Sequence, residues 1–175
     1  MGFQDECGVS ERPFVRTTWA LRGHTPLITC SGSWKKLTLS GVIITDAKGK
    51  RPRLFLRSIA GNMNKEETLL FIKDLKRHMR GRKLFLIWDG LPAHRAKVVQ
   101  EYLIRERHWL RIARFPGYAP ELNPIEYLWA AMKKKYLGNL GGSLSGLGKA
   151  LRRCRKPISD RGLLRGFLRA SELYN

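Results

Sequence analysis

A mixed α/β fold, a five-stranded sheet with helices on both faces, is what this sequence predicts. Three observations carry that expectation. A β-branched apolar pair of runs, Lys36 to Thr45 and Arg53 to Ile59, flanks the turn "DAKGK" as a hairpin does. Beyond it, helical and extended patterns alternate, which implies a parallel portion of sheet with helices packed over it. Finally, "NKEE" at Asn64 and "NPIE" at Asn123 each place a capping Asn three residues before a Glu, the mark of a helix start.

Taken in order, "MGFQDECG" reads as a short first strand ending at Asp5, and residues 7–34 read as loop, with Trp19 and Trp34 among Gly, Pro, Ser and Thr. After the hairpin, the helix opened by Asn64 repeats Leu69, Ile72, Leu75 and Met79 at helical spacing. "KLFLIWDG" (83–90) is a continuous apolar run, expected of a strand buried on both faces. A helix over roughly Ala93 to Arg107 turns Val99, Tyr102 and Leu103 inward, and "LRIARF" (110–115) is a short strand. Ile125, Leu128, Trp129 and Met132 then form the buried stripe of the last core helix. From 138 to 175 the chain reads as a Gly/Ser-rich linker and a basic, partly helical tail, so residues 1–137 are expected to be the main domain.

Composition narrows the partners. The 175 residues carry 34 Lys and Arg against 14 Asp and Glu, a net charge of +20, which favours a polyanion and nucleic acid over a membrane. No apolar run approaches the length of a membrane helix, and Asp5 and Glu6 interrupt any early apolar region. Three cysteines without paired spacing (Cys7, Cys30, Cys154) argue against a disulfide framework or a zinc site and fit a reducing cytoplasm.

Open α/β sheets place their sites at the carboxyl ends of adjacent strands. Asp5 and Asp89 both stand at strand ends, and Glu126 opens the last core helix. Singly, each has a plain reading, as a strand-end acid, a turn residue or a capping box. Together in a basic chain they ask for divalent cations, because converging carboxylates repel, and Mg²⁺ takes oxygen ligands while basic residues neutralise a phosphate backbone. His94, five residues after Asp89, reads either as a phosphate or water contact or as a structural histidine. Lys133 lies on the Glu126 face of its helix, about 10 Å along it, as a phosphate contact would, whereas the run Lys133 to Lys135 is partly a solvated face. Trp19, Trp88 and Trp129 are expected to pack rather than stack on bases.

"FQDE" (3–6), "RTTWALRGHTP" (16–26), "LIWDGLPAHRA" (86–96) and "FPGYAPELNPIEYLW" (115–129) resemble the DDE transposases of the mariner-like superfamily, most closely its bacterial branch, the insertion sequence 630 family. The resemblance implies an RNase H-like core, two Mg²⁺ or Mn²⁺ ions held by Asp5, Asp89 and Glu126, and cut-and-paste movement of a DNA element into a TA target in the bacterial cytoplasm, at the nucleoid. Thirty-six residues separate Asp89 from Glu126, close to the family spacing. Hydrolysis of a strand at the element's end and attack by the freed 3′-hydroxyl on target DNA would follow. His94, Lys133, Lys134, Arg152 and Arg153 are the candidate DNA contacts. Members of this family carry helix-turn-helix modules ahead of the core, for which Asp5 leaves no room, so an upstream segment supplied by a fusion, and a homodimer, are the expected partners. The alternative is a silent or truncated RNase H-like module that binds nucleic acid without cutting it.

Overall fold

The computed structural model describes residues 1–12, 14–27, 35–117, 119–138 and 143–174. The elements follow in the order β1 (Gly2–Ser10), β2 (Lys36–Ile44), β3 (Arg53–Ala60), α1 (Lys65–Met79), β4 (Leu84–Trp88), α2 (Pro92–Arg95), α3 (Lys97–Arg105), β5 (Leu110–Arg114), a 3₁₀ turn (Pro120–Leu122), α4 (Pro124–Lys135), α5 (Leu144–Ile158) and α6 (Arg161–Ala170). The strands form one sheet in the order β3-β2-β1-β4-β5. β1, β2 and β3 are antiparallel, whereas β4 and β5 run parallel to β1 and to each other.

The period-two alternation of the strands sorts the core into two layers. Along β2, Leu39 and Ile43 point to a cluster with Phe3, Cys7, Leu128, Trp129 and apolar residues of α5 and α6. Val42 and Ile44 point to the other face, with Phe71, Leu75, Leu86, Trp88 and Val99. Helices α4, α5 and α6 therefore cover one face, and α1 and α3 the other. Both Asn caps form as expected: the Asn64 side chain accepts from the Glu67 N–H, and that of Asn123 from the Ile125 N–H.

Several expectations need correction. The first strand is not short. It runs nine residues and pairs with β2 throughout, Gly2↔Ile44 to Ser10↔Lys36, so Asp5 is mid-strand. The strand's length is set by a pairing partner more than thirty residues away. β4 is buried on both faces only in part, since Phe85 is 45% exposed. The helix expected over 93–107 is two, parted by the extended backbone of Ala96. From Leu144 the Gly/Ser-rich run is not a linker but the start of α5, capped by Ser143, whose hydroxyl accepts from the Gly146 N–H. Leu147, Leu151, Cys154 and Ile158 bury one side of it in the same cluster as Phe3, and Leu164 and Leu168 of α6 join them. Burial there outweighs the roughly 1 kcal/mol that each helical glycine costs. Trp19 does not pack at all; it is 99% exposed in an irregular segment that also exposes Val15, Leu21 and Leu27. Trp88 and Trp129 are buried as expected, while Cys30 and Trp34 lie outside the described residues. Cys7 and Cys154 are free and buried. No described helix is long and apolar enough to cross a membrane.

Candidate active site

β1 outruns β4, and that overrun creates the site. Only Gly2 and Phe3 pair with β4, opposite Leu86 and Ile87. Two residues further along each strand come Asp5 and Asp89, so both acids sit at the carboxyl end of β4. Asp5 shares a face with Phe3, under α4. Glu6 points to the opposite face, under α1 and α3.

Asp5 meets the start of α4. The Trp129 indole N–H donates to Asp5 Oδ2 at 2.9 Å. This close approach depends on Gly41, the β2 partner of Asp5, because a Cβ there would stand 2.8 Å from Ile125 Cδ1 and 2.9 Å from the Trp129 ring. The Asn123 side chain donates to the Gln4 carbonyl at 3.2 Å and ties the same helix start to β1. Glu126 does not close a capping box: the Asn123 N–H donates to the Pro120 carbonyl at 2.9 Å. Its carboxylate is exposed and acts on Asp5 instead. Burial and the Glu126 charge push the Asp5 pKa up to about 7, against the Glu6 N–H and the Trp129 N–H, which favour the charged form.

Asp89 is held differently. Its Oδ1 accepts from the Leu91 N–H at 3.1 Å and lies 3.0 Å from His94 Nδ1. His94 is buried, and its ring stacks on Trp88 with centroids 4.1 Å apart and planes within 3°. On the far side of the ring, Nε2 stands 3.4 Å from Glu6 Oε1, near enough for charge attraction although not aligned as a hydrogen bond. Burial opposes a charge on His94, but the two carboxylates raise its pKa to about 9. Burial likewise opposes a charge on Asp89, yet the contacts to His94 and Leu91 hold its carboxyl below the usual range. Gln4 Nε2 donates to Glu6 Oε1 at 2.5 Å and fixes the outer end of the chain of contacts. Glu6, Asp89 and His94 offer ligand atoms within 4.8 Å of one another, but the imidazole stands between the two carboxylates and supplies the positive charge itself.

Of the expected phosphate contacts, Lys133 acts on the Cys7 thiol, as do Asp5 and Glu126, and its Nζ lies 5.2 Å over the Phe14 ring. Burial raises the Cys7 pKa, and Lys133 works against that rise. Lys134, Arg152 and Arg153 are exposed, and Arg152 lines a separate hollow with Leu37, Leu39 and Leu56. His94 faces carboxylates rather than solvent. Sequence reasoning did not find Glu6 as a partner of His94, nor the Trp129 hydrogen bond. The one available signal for the second was Gly41, a glycine inside an apolar strand, which often marks close backbone approach.

The Asp5 and Glu126 oxygens are hard ligands, whose mutual repulsion a divalent cation would remove.

The fold defines the class first. A Mos1 pre-cleavage transpososome structure superimposes with a TM-score of 0.72 at 19% identity, covering 98% of this chain and 52% of that one. The catalytic domain of Mos1 mariner transposase matches at 0.65 and 16% identity, covering 98% and 74%. At such identity the likeness is one of fold alone, a mixed five-stranded sheet with helices on both faces. The sequence then gives the family: residues 1–141 match the model of the DDE superfamily endonucleases, and the chain belongs to that family. The Shigella sonnei "Insertion element IS630 uncharacterized 39 kDa protein" is 28% identical over 134 residues, 74% of this chain and 36% of that protein. The chain thus spans about a third of that relative's length and about half of the Mos1 transposase chain in the transpososome.

Proposed function

We propose that this chain is the catalytic domain of an insertion-element transposase, which cleaves DNA strands at the element's ends and joins them to a target in a divalent-cation-dependent reaction. The observation that carries the reading is the start of α4, which bears Glu126, tied to β1 at Asp5 by the Trp129 and Asn123 hydrogen bonds, at the carboxyl end of β4. Asp5, Asp89 and Glu126 would hold the divalent ions, two in number. When bound, the ions supply Lewis-acid stabilisation to the attacking and leaving oxygens of an in-line phosphoryl displacement. The chain's own groups do the rest. Asp5 yields its proton on loading, the Trp129 N–H orients its carboxylate, and His94 holds Asp89 Oδ1 in one direction. Lys133 is placed to neutralise a phosphate beside the acids. Double-stranded DNA is the substrate, as element ends and a TA target, with an upstream helix-turn-helix segment for end recognition and a second copy of the chain as partners. The bacterial nucleoid is the place of action.

The test joins the chain to such an upstream segment and measures strand cleavage of its element ends with Mg²⁺ or Mn²⁺. Glu126→Gln should abolish cleavage with DNA binding nearly unchanged. A well-folded fusion that binds its ends and never cuts them overturns the reading and leaves a binding module. A further check uses the chain alone: Mg²⁺ should raise its thermal midpoint, because the ions bind the folded acids only, and Asp89→Asn should remove most of that rise.

A further inference from the structure

A second charged feature lies at the other end of the sheet, where β1 and β4 begin and β2 ends. A cavity of about 520 Å³ there is lined by Arg51, Arg53, Arg82, Lys83 and Arg161, with Asp46 as its one acid. Beside it, bordered by the same β2–β3 turn and the same helix α6, a hollow of about 320 Å³ is lined by Lys48, Lys50, Arg165 and Arg169. None of these nine basic side chains has an ion-pair partner among the described residues. Asp46 is already engaged, since its Oδ1 accepts from the Lys48 and Lys50 N–H groups at 3.1 and 2.8 Å.

Folding does not explain this arrangement. Arg161 occupies the first turn of α6, the end at which the helix dipole disfavours a cation. Arg161, Arg165 and Arg169 follow at i, i+4 and i+8, a like-charge spacing that destabilises a helix. Arg53 has its pKa lowered by burial and by Arg82 and Arg161. His78 Nε2, close enough to feel Arg53 and Arg82, is buried with no hydrogen-bond partner. An anion in the cavity relieves the repulsion among these cations.

We propose that this basic pole is a second nucleic-acid-binding surface, which grips the phosphate backbone of a DNA duplex at the end of the sheet opposite Asp5 and Glu126. Arg161 to Arg169 spans eight residues, about 12 Å of helix. A duplex presents a phosphate per roughly 1.7 Å of its axis, so about seven fall within that length. A small anion fills one hollow, whereas a polymeric backbone spans both. Met1 and Asp5 are separated by about 13 Å of strand, and the two surfaces face opposite ways. One chain can therefore hold one duplex at its acids and another at its pole. The choice of DNA as the anion rests on the proposed function; the site itself does not.

The experiment titrates the full chain, with Ca²⁺ at a fixed concentration in place of Mg²⁺, with a short duplex of arbitrary sequence over a series of salt concentrations. The wild type should bind two duplexes at low salt. Combined replacement of Arg53, Arg82, Arg161 and Arg165 by Gln should leave one, and should lower the slope of log K against log salt by about three to four, at ~0.9 for each phosphate no longer neutralised. The thermal midpoint of this variant should stay equal or rise, since like charges are relieved. Should it fail to fold, the exposed pair Lys83→Gln and Arg169→Gln serves instead, with a slope lower by about two. Unchanged stoichiometry and slope in a folded variant overturn the proposal. So does a variant that keeps both duplexes but loses binding to phosphatidylglycerol vesicles, which would make the pole a membrane contact. Loss of cleavage in Glu126→Gln leaves this result untouched, so the two readings fail separately.

Discussion

Two pairs of carboxylates meet across β1, and they handle the same repulsion in opposite ways. On the face under α1 and α3, Glu6 and Asp89 have the His94 ring between them, and Asp89 stays ionised below the usual carboxyl range. On the face under α4, Asp5 and Glu126 act on one another, and Asp5 is pushed up to about 7. The first pair is completed from within the chain and serves as a frame. The second has no imidazolium between its members, and its repulsion is what a divalent cation would relieve. The difference teaches how charge is divided at this end of the sheet: Asp89 is held by a partner of opposite charge, whereas Asp5 meets one of like charge.

The sharpest way to break the comparison is by activity. In a fusion that cuts its element ends, Glu126→Gln should reduce the cleavage rate by about the hundred- to thousandfold that removing one preorganised charge-stabilising group costs, or more. Glu6→Gln should reduce it only ~10–100-fold, as for a group that orients a ligand through a histidine. Equal losses would mean that the two pairs do the same work.

Stability should order them the other way. His94→Ala leaves Asp89 and Glu6 facing one another without the imidazolium. Removing one member of a buried ionic set costs about 3–5 kcal/mol, and the 38% exposure of the Asp89 side chain should bring this to roughly 2. Glu126→Gln relieves repulsion and should leave the urea midpoint unchanged or slightly higher. Denaturant melts at pH 7 decide the point.

The two pairs should also separate along the pH axis. The folded pKa of Asp5, about 7, lies above its ordinary 3.8, so the folded state holds a proton that the unfolded state has released. Its contribution to stability is full below about 4 and is lost as pH rises through 7. His94 is raised from 6.5 to about 9, so its contribution is full below 6.5 and is lost as pH rises through 9. The lowered pKa of Asp89 adds stability above 3.8 that disappears as pH falls through the folded value. Asp5→Asn should flatten the decline between pH 4 and 7 and leave that near 9. Saturating Mg²⁺ should mimic it, because the ion takes the place of the proton. A decline near 7 that survives in Asp5→Asn would assign it elsewhere.

How much of the fold and site is legible in the sequence follows from the range of each interaction. The helix starts at Asn64 and Asn123 depend on a few neighbouring residues, and both caps form where the sequence places them. The strand-end position of Asp89 is equally local. The length of β1 is not, since it is set by pairing with residues 36–44. Nor is the role of Glu6, which needs a histidine 88 positions away to fold against it. The start of α5 is hidden because its glycines weaken the local signal that its buried stripe restores. The basic pole is invisible for a related reason. Arg51, Arg53, Arg82, Lys83 and Arg161 look like scattered surface charge until the sheet brings three chain segments to one end.

The smallest expected effect probes the boundary between the pairs, the indole of Trp129. Its N–H bonds Asp5 Oδ2, the contact that most directly favours the ionised form from the α4 side. Trp129→Phe keeps an aromatic ring over Gly41 but removes the donor. Asp5 then loses a hydrogen bond that is stronger to its carboxylate than to its neutral acid, so its pKa should rise further. The high-pH decline in stability assigned to Asp5 should shift upward, by about one unit if the bond is worth ~1.5 kcal/mol to the charged form. Overall stability will also fall because the smaller ring packs less well, which is why the position of the pH transition, not its height, is the measurement that matters. His94 lies across the sheet and touches neither Asp5 nor Trp129, so the transition near 9 should stay in place. A shift of both transitions would mean that the two pairs titrate as one site, and the division drawn between frame and reactive pair would have to be abandoned.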